Sequence, residues 1–122
     1  MTSEELKNRL KMFSRRIIRL VDKLPNTLAG KAIGNQIIRS GTSPGANYRA
    51  ACLGKSDKDF LNKLKIVEEE LDETLYWLKL IQEEQLIKPD LLSDLMHENE
   101  ELLKIIISSI KTMRARLNKT IN

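Results

Sequence analysis

The 122 residues carry 21 Lys or Arg, 17 Asp or Glu and one His, a net charge of +4, with 41% hydrophobic and 31% charged side chains. That suits one domain, residues 1–122, around a single core. Aromatic content of 4%, with five Gly and three Pro, disfavours a β-sandwich, and no apolar run approaches the ~20 residues that cross a bilayer. The opening MTSEELKNRLKMF lacks the apolar stretch of a secretory signal, and the lone Cys52 forms no internal disulfide or cysteine-based zinc site. A cytoplasmic protein with no membrane partner is therefore expected.

Thr2 followed by Glu5 has capping-box spacing, so the first helix is expected to begin at Thr2 or Ser3. Leu6, Leu10, Phe13, Ile17, Leu20 and Leu24 then recur at steps of three and four, one apolar stripe on a helix. Pro25-Asn26 ends it. A second helical stretch from about Thr27 carries Leu28, Ala32, Ile33, Ile37 and Ile38 into Gly41-Thr42-Ser43-Pro44-Gly45, then continues to a Gly54 cap. Two Gly and a Pro within five residues fit a loop, but the helical period on both flanks favours a helix kinked near Pro44.

Ser56 caps the third helix, whose stripe reads Phe60, Leu64, Val67, Leu71, Leu75 with Thr74, Leu78 and Ile81. It extends to about Leu86, roughly 30 residues or ~45 Å. After a turn at Ile87-Lys88, Pro89 suits the first position of the fourth helix. There Leu92, Leu95 or Met96, Asn99, Leu103, Ile106, Ile110, Met113 and Leu117 repeat the period, and residues 119–122 are expected to fray. The fold class is all-α: an antiparallel up-down-up-down four-helix bundle.

A strict stripe leaves apolar residues over. Ile18, Leu61, Ile66, Trp77, Leu80, Ile105 and Ile107 lie off or beside the core lines. They make either a broad apolar face within one bundle or a second face buried against another subunit; Trp77, Leu80, Ile105 and Ile107 are the candidate oligomer interface. Charge is segregated too. Residues 1–55 hold 11 cations and 3 acids, residues 56–103 hold 5 and 14, and residues 104–122 hold 5 and none. The split is used either inside one molecule, with the basic first helix beside the acidic third, or between subunits.

Enzyme chemistry fails by subtraction. A di-iron bundle needs two Glu-x-x-His pairs, whereas His97 is alone and follows Asp94 by three. Gly30, Gly34, Gly41 and Gly45 do not have phosphate-loop spacing, and Cys52 with His97 has no motif context for a nucleophile and base. No catalysis, metal or cofactor is expected. The basic clusters remain. Arg15, Arg16 and Arg19 share one side of the first helix, Arg49 ends the second, and Lys111, Arg114, Arg116 and Lys119 crowd the end of the fourth. Cations suit a helix C-terminus in any case, but they also neutralise phosphates, so all eight are candidate nucleic-acid contacts led by shape and charge.

The segment RSGTSPGANYRAAC at 39–52, followed by KSDKDFLNKLKIVEEELDETLYWLKLI at 55–81, resembles the bacterial four helix bundle protein family, also called the 23S rRNA intervening-sequence protein family. Arg39, Ser40, Ser43 and Asn47 match its usual positions, as does the Glu-rich stretch ending Leu75-Tyr76-Trp77-Leu78. Pro44 departs from the small aliphatic residue of many relatives. The resemblance implies a ring-shaped homopentamer. It also implies kinship with retroelement accessory proteins that associate with RNA or DNA and a reverse transcriptase. Around a Gly-Pro bend, Arg39, Ser40, Ser43 and Asn47 are expected to do structural work, with Arg39 pairing an acid such as Glu69 or Glu73. The leading expectation is a non-enzymatic homo-oligomer binding nucleic acid. The alternatives are a protein–protein scaffold and a monomer with a small-molecule or metal site.

Overall fold

The computed structural model describes residues 1–121, with side chains through residue 119, as four α-helices. These are α1 (Ser3–Val21), α2 (Leu28–Cys52), α3 (Asp57–Glu83) and α4 (Pro89–Ile121). No strand occurs among the described residues, and no described helix is long and apolar enough to cross a membrane. The chain forms a four-helix bundle in which each helix packs on two neighbours. α1 borders α2 and α4, α3 borders α2 and α4, and α1 and α3 stand at opposite corners. The basic first helix therefore does not lie beside the acidic third. Its cross-helix ion pairs go to α4 instead, where Arg9 meets Glu98 at 2.5 Å and Glu101 at 3.1 Å.

Short polar side chains start three of the helices. Thr2, Thr27 and Ser56 each accept a hydrogen bond from the backbone N–H three residues on, at 3.1 Å, satisfying a donor that has no intrahelical partner. α2 runs unbroken from Leu28 to Cys52, so Gly41–Gly45 is helix rather than loop. Pro44 withdraws one backbone bond within that helix. α3 stops at Glu83, short of Leu86. Leu86 N–H bonds the Ile81 carbonyl, Gln85 N–H bonds that of Gln82, and Gln85 takes the left-handed φ of 53°. This is a Schellman closure with glutamine where glycine is favoured. Gln85→Gly is expected to raise stability by about 1 kcal/mol, measured as a higher urea midpoint at fixed protein concentration. α4 continues to Ile121 through the segment expected to fray, and Asn122 lies outside the described residues.

The core is built by Leu10, Phe13 and Ile17 of α1, Ile37 of α2, Leu64, Val67, Leu71 and Leu78 of α3, and Leu92, Leu102 and Ile106 of α4. In two places the buried line runs one residue away from the expected stripe: Leu61 is buried while Phe60 is half-buried, and Leu102 replaces Leu103; of the expected pair Leu75 and Thr74, Thr74 is the buried one. A straight helix drifts ~20° per heptad against a seven-residue repeat, so over helices this long the buried line migrates to a neighbouring position. Phe60 is not idle: its ring meets Tyr48 edge-on, with centroids 6.4 Å apart. Among the described residues, the polar side chains of Ser40, Thr74 and Asn99 are fully buried.

Candidate nucleic-acid interface

α1 and α2 approach closely because α2 presents glycine to its neighbour. A Cβ on Gly41 would stand 2.7 Å from Ile17, and one on Gly45 would touch Ser14 and the Leu10 backbone at 3.4–3.5 Å. On the outer side of this contact the two helices leave a cleft of about 610 Å³, with Gly45 and Ala46 among its lining. Lys7 and Lys11 line it from α1 and Arg49 from α2, with Asn8 and Ser14 adding polar groups. Its one acid, Glu4, is held by Lys7 at 3.1 Å. Four residues of helix rise separate Lys7 from Lys11 by ~6 Å, which places both amines along one wall. The arrangement is chemically simple: cations from two helices converge on one trough.

The up-down topology puts the start of α1, the end of α2 and the end of α4 at one end of the bundle. Arg49, Lys111, Arg114, Arg116 and Lys119 therefore share that end. Arg116 also lies 3.7 Å from Asp57 of α3. Arg15 and Arg19 are exposed further along α1, and Arg16 is half-buried. None of these three lines the cleft. Sequence reasoning picked out Arg49 but assigned Lys7 no role, because the wall it completes exists only once α1 and α2 are side by side.

The motif residues are occupied by structural bonds. Arg39 binds Glu70 at 2.9 Å and also Glu73; of the two expected partners Glu73 is engaged and Glu69 is not. Glu73 accepts a further hydrogen bond from the Trp77 indole at 3.0 Å. The indole and then Arg39 hold the Glu73 carboxyl below the usual carboxylate range. Ser40 and Thr74 are hydrogen-bonded at 3.0 Å across the α2–α3 interface. Asn47 donates to the Ser43 carbonyl and hydroxyl. Thus Arg39 and Ser40 tie α2 to α3, while Ser43 and Asn47 support the helix around Pro44. Trp77 and Ile105 are half-buried against the core, and Leu80 and Ile107 are half-buried.

The 23S rRNA-intervening sequence protein family matches residues 4–108. The chain belongs to that family. A crystal structure at 1.70 Å of a protein of unknown function from the S23 ribosomal protein family, from Bacteroides thetaiotaomicron VPI-5482, is 38% identical to it. The superposition has a TM-score of 0.81 and covers 87% of this chain and 98% of that one. No curated protein matches. In this family member the cleft residues Lys7, Lys11 and Arg49 fall inside the matched segment, whereas Lys111, Arg114, Arg116 and Lys119 lie beyond it.

Elsewhere the titratable groups are dispersed. His97 is exposed beside Glu101 at 3.7 Å, and no group of three or more His, Cys, Asp or Glu able to hold a metal occurs among the described residues. Burial, and then the neighbouring Cys52, pushes the Tyr48 phenol up to about 12, so it stays protonated at neutral pH.

Proposed function

We propose that this family member is a non-enzymatic, self-associating four-helix bundle that binds the backbone of RNA or DNA. The observation that supports the reading is the cleft in which Lys7 and Lys11 of α1 face Arg49 of α2. Its lining is Glu4, Lys7, Asn8, Lys11, Ser14, Gly45, Ala46 and Arg49, with no aromatic ring to stack a base. Contact through such a trough goes to phosphates and carries no base code. The cations at the end of α4 add charge at the same end of the bundle and so strengthen encounter with a polyanion.

The test is binding to single- and double-stranded RNA and DNA across a salt series. Affinity is expected to fall steeply with salt and to vary little with sequence. The triple variant K7E/K11E/R49E should flatten the slope of log affinity against log salt by about 2–3. An unchanged slope would remove the cleft from the account. No binding by the unaltered protein at low salt would remove the nucleic-acid reading altogether.

A further inference from the structure

The cationic cleft continues, along the same groove, into an apolar stretch. On α1, Lys7, Lys11, Ser14 and Ile18 succeed one another at steps of four, three and four, along one line of the helix. On α2, Ile38, Thr42, Gly45 and Arg49 repeat those steps. The register of the two antiparallel helices is set by close contacts. The Ser14 hydroxyl donates to the Gly41 carbonyl at 3.3 Å, a Cβ on Gly45 would touch Ser14 and Leu10, and one on Gly34 would touch Val21 and Leu24. The two lines therefore face each other across the groove: Lys7 with Arg49, Lys11 with Gly45, Ser14 with Thr42, and Ile18 with Ile38. Ser14 lines the cleft, and the next pair along, Ile18 and Ile38, is 45% and 37% exposed. Seven residues of helix rise put Ile18 ~10 Å beyond Lys11.

The groove is almost free of acids. α2 has no Asp or Glu, α1 has none between Glu5 and Asp22, and Glu4 is held by Lys7. The charges nearest Ile18 and Ile38 along the two helices are Arg15, Arg19, Asp22, Lys31 and Arg39. Asp22 alone is negative, and Arg39 is turned to Glu70 and Glu73 of α3. The α4 acids that approach α1, Glu98 and Glu101, are engaged by Arg9. Between the cations and the isoleucines, the Ser14 and Thr42 hydroxyls are spent on backbone carbonyls. The groove thus offers charge at one end and apolar surface at the other.

That pairing selects the form of the polyanion. A duplex keeps its bases paired and stacked, and presents sugar and phosphate to a groove between two helices. It would neutralise the cations and gain nothing from Ile18 and Ile38. An unpaired strand has free base faces, which cover aliphatic side chains whichever base is present. Resting on the cleft reading proposed above, we infer that its ligand is an unpaired stretch of RNA or DNA, with phosphates on Lys7, Lys11 and Arg49 and the adjoining bases on Ile18 and Ile38.

Fluorescence anisotropy with labelled oligouridine and oligothymidine, each alone and annealed to its complement, tests the assignment. The unaltered protein should bind the single strand more tightly than the duplex at equal salt. I18S/I38S should weaken single-strand binding about tenfold, from the apolar area no longer covered. Duplex affinity and the salt slope should stay in place, since apolar contact releases no counterions. Unchanged duplex affinity also shows that the variant is folded. An abasic strand of the same length, which keeps the phosphates and lacks the bases, should bind the unaltered protein as weakly as I18S/I38S binds the complete strand. A duplex held as tightly as the single strand, or single-strand affinity unchanged in I18S/I38S, overturns the strand assignment while the flattened slope of K7E/K11E/R49E leaves the cleft reading standing. No binding of either form at low salt overturns both.

Discussion

Gly41→Leu is expected to lower the free energy of unfolding by about 3 kcal/mol or more, seen as a drop in urea midpoint with unchanged m-value. The reason lies in the α1–α2 contact. A Cβ at this position alone would stand 2.7 Å from both Cγ1 and Cγ2 of Ile17 and 3.1 Å from its Cβ. These atoms belong to the base of a β-branched side chain that is fully buried, so they cannot swing aside. The two helices must separate, and the loss spreads to Leu10, Phe13 and Ile37, which are packed to full burial in the same core. Gly45→Ala is the matched control. Its Cβ meets Ser14 and Leu10 at ordinary contact distance, 3.4–3.5 Å, while alanine gains up to about 1 kcal/mol of helix propensity. Gly45→Ala should therefore hold or raise the midpoint. Equal losses at the two positions would show that backbone freedom, not the closeness of α1, is what glycine supplies. Any self-association would add to apparent stability, so all variants are compared at one protein concentration.

Asn99→Leu moves stability the other way, by about 1–3 kcal/mol upward. Asn99 sits fully buried on α4, and neither its Nδ2 nor its Oδ1 has a hydrogen-bond partner. An orphaned amide in an apolar interior carries its desolvation cost with nothing returned, and leucine keeps the γ-branched outline while removing both polar atoms. The contrast within this same core is Thr74, which is equally buried but bonds the Glu70 carbonyl at 2.7 Å and the Ser40 hydroxyl at 3.0 Å. Thr74→Val should accordingly lose stability where Asn99→Leu gains it. A midpoint that falls in Asn99→Leu would mean that the amide is satisfied in solution, for instance by an enclosed water.

Much of the fold was legible because helix periodicity is a local property. Leu6, Leu10, Phe13, Ile17 and Leu20 are spaced for one face of α1 and are buried on that face. Thr2 and Ser56 were readable as caps for the same reason, since the bonds they make reach only three residues along the chain. Errors arose where burial depends on a second neighbour. Leu61 and Leu102 displaced Phe60 and Leu103 because slow drift around a long helix decides which side chain finally faces inward. The glycines of α2 illustrate the same limit. Their spacing excluded a phosphate loop, but nothing local said that Gly41 exists to admit Ile17.

The candidate site was half legible. Arg49 and the cations of α4 stand out by charge alone, yet the cleft is made by Lys7 and Lys11, which are ordinary surface lysines until α2 is laid against α1. Arg39 was expected to bind an acid of α3, and it does, but register across the α2–α3 interface selected Glu70 and Glu73 over Glu69. The acid–base segregation was plain in the sequence, whereas its use was not. With α1 and α3 at opposite corners, the split cannot be neutralised between them inside one molecule.

The sequence by itself determined four amphipathic helices, their caps and breaks, and a marked polarity of charge along the chain, because each rests on interactions within a few residues. Only the tertiary structure decided which helices are neighbours, which side chains close the cleft, and which charges are left facing outward. Those depend on how four rods are ordered around a shared core, and residues 40 or 90 positions apart in sequence meet there for the first time.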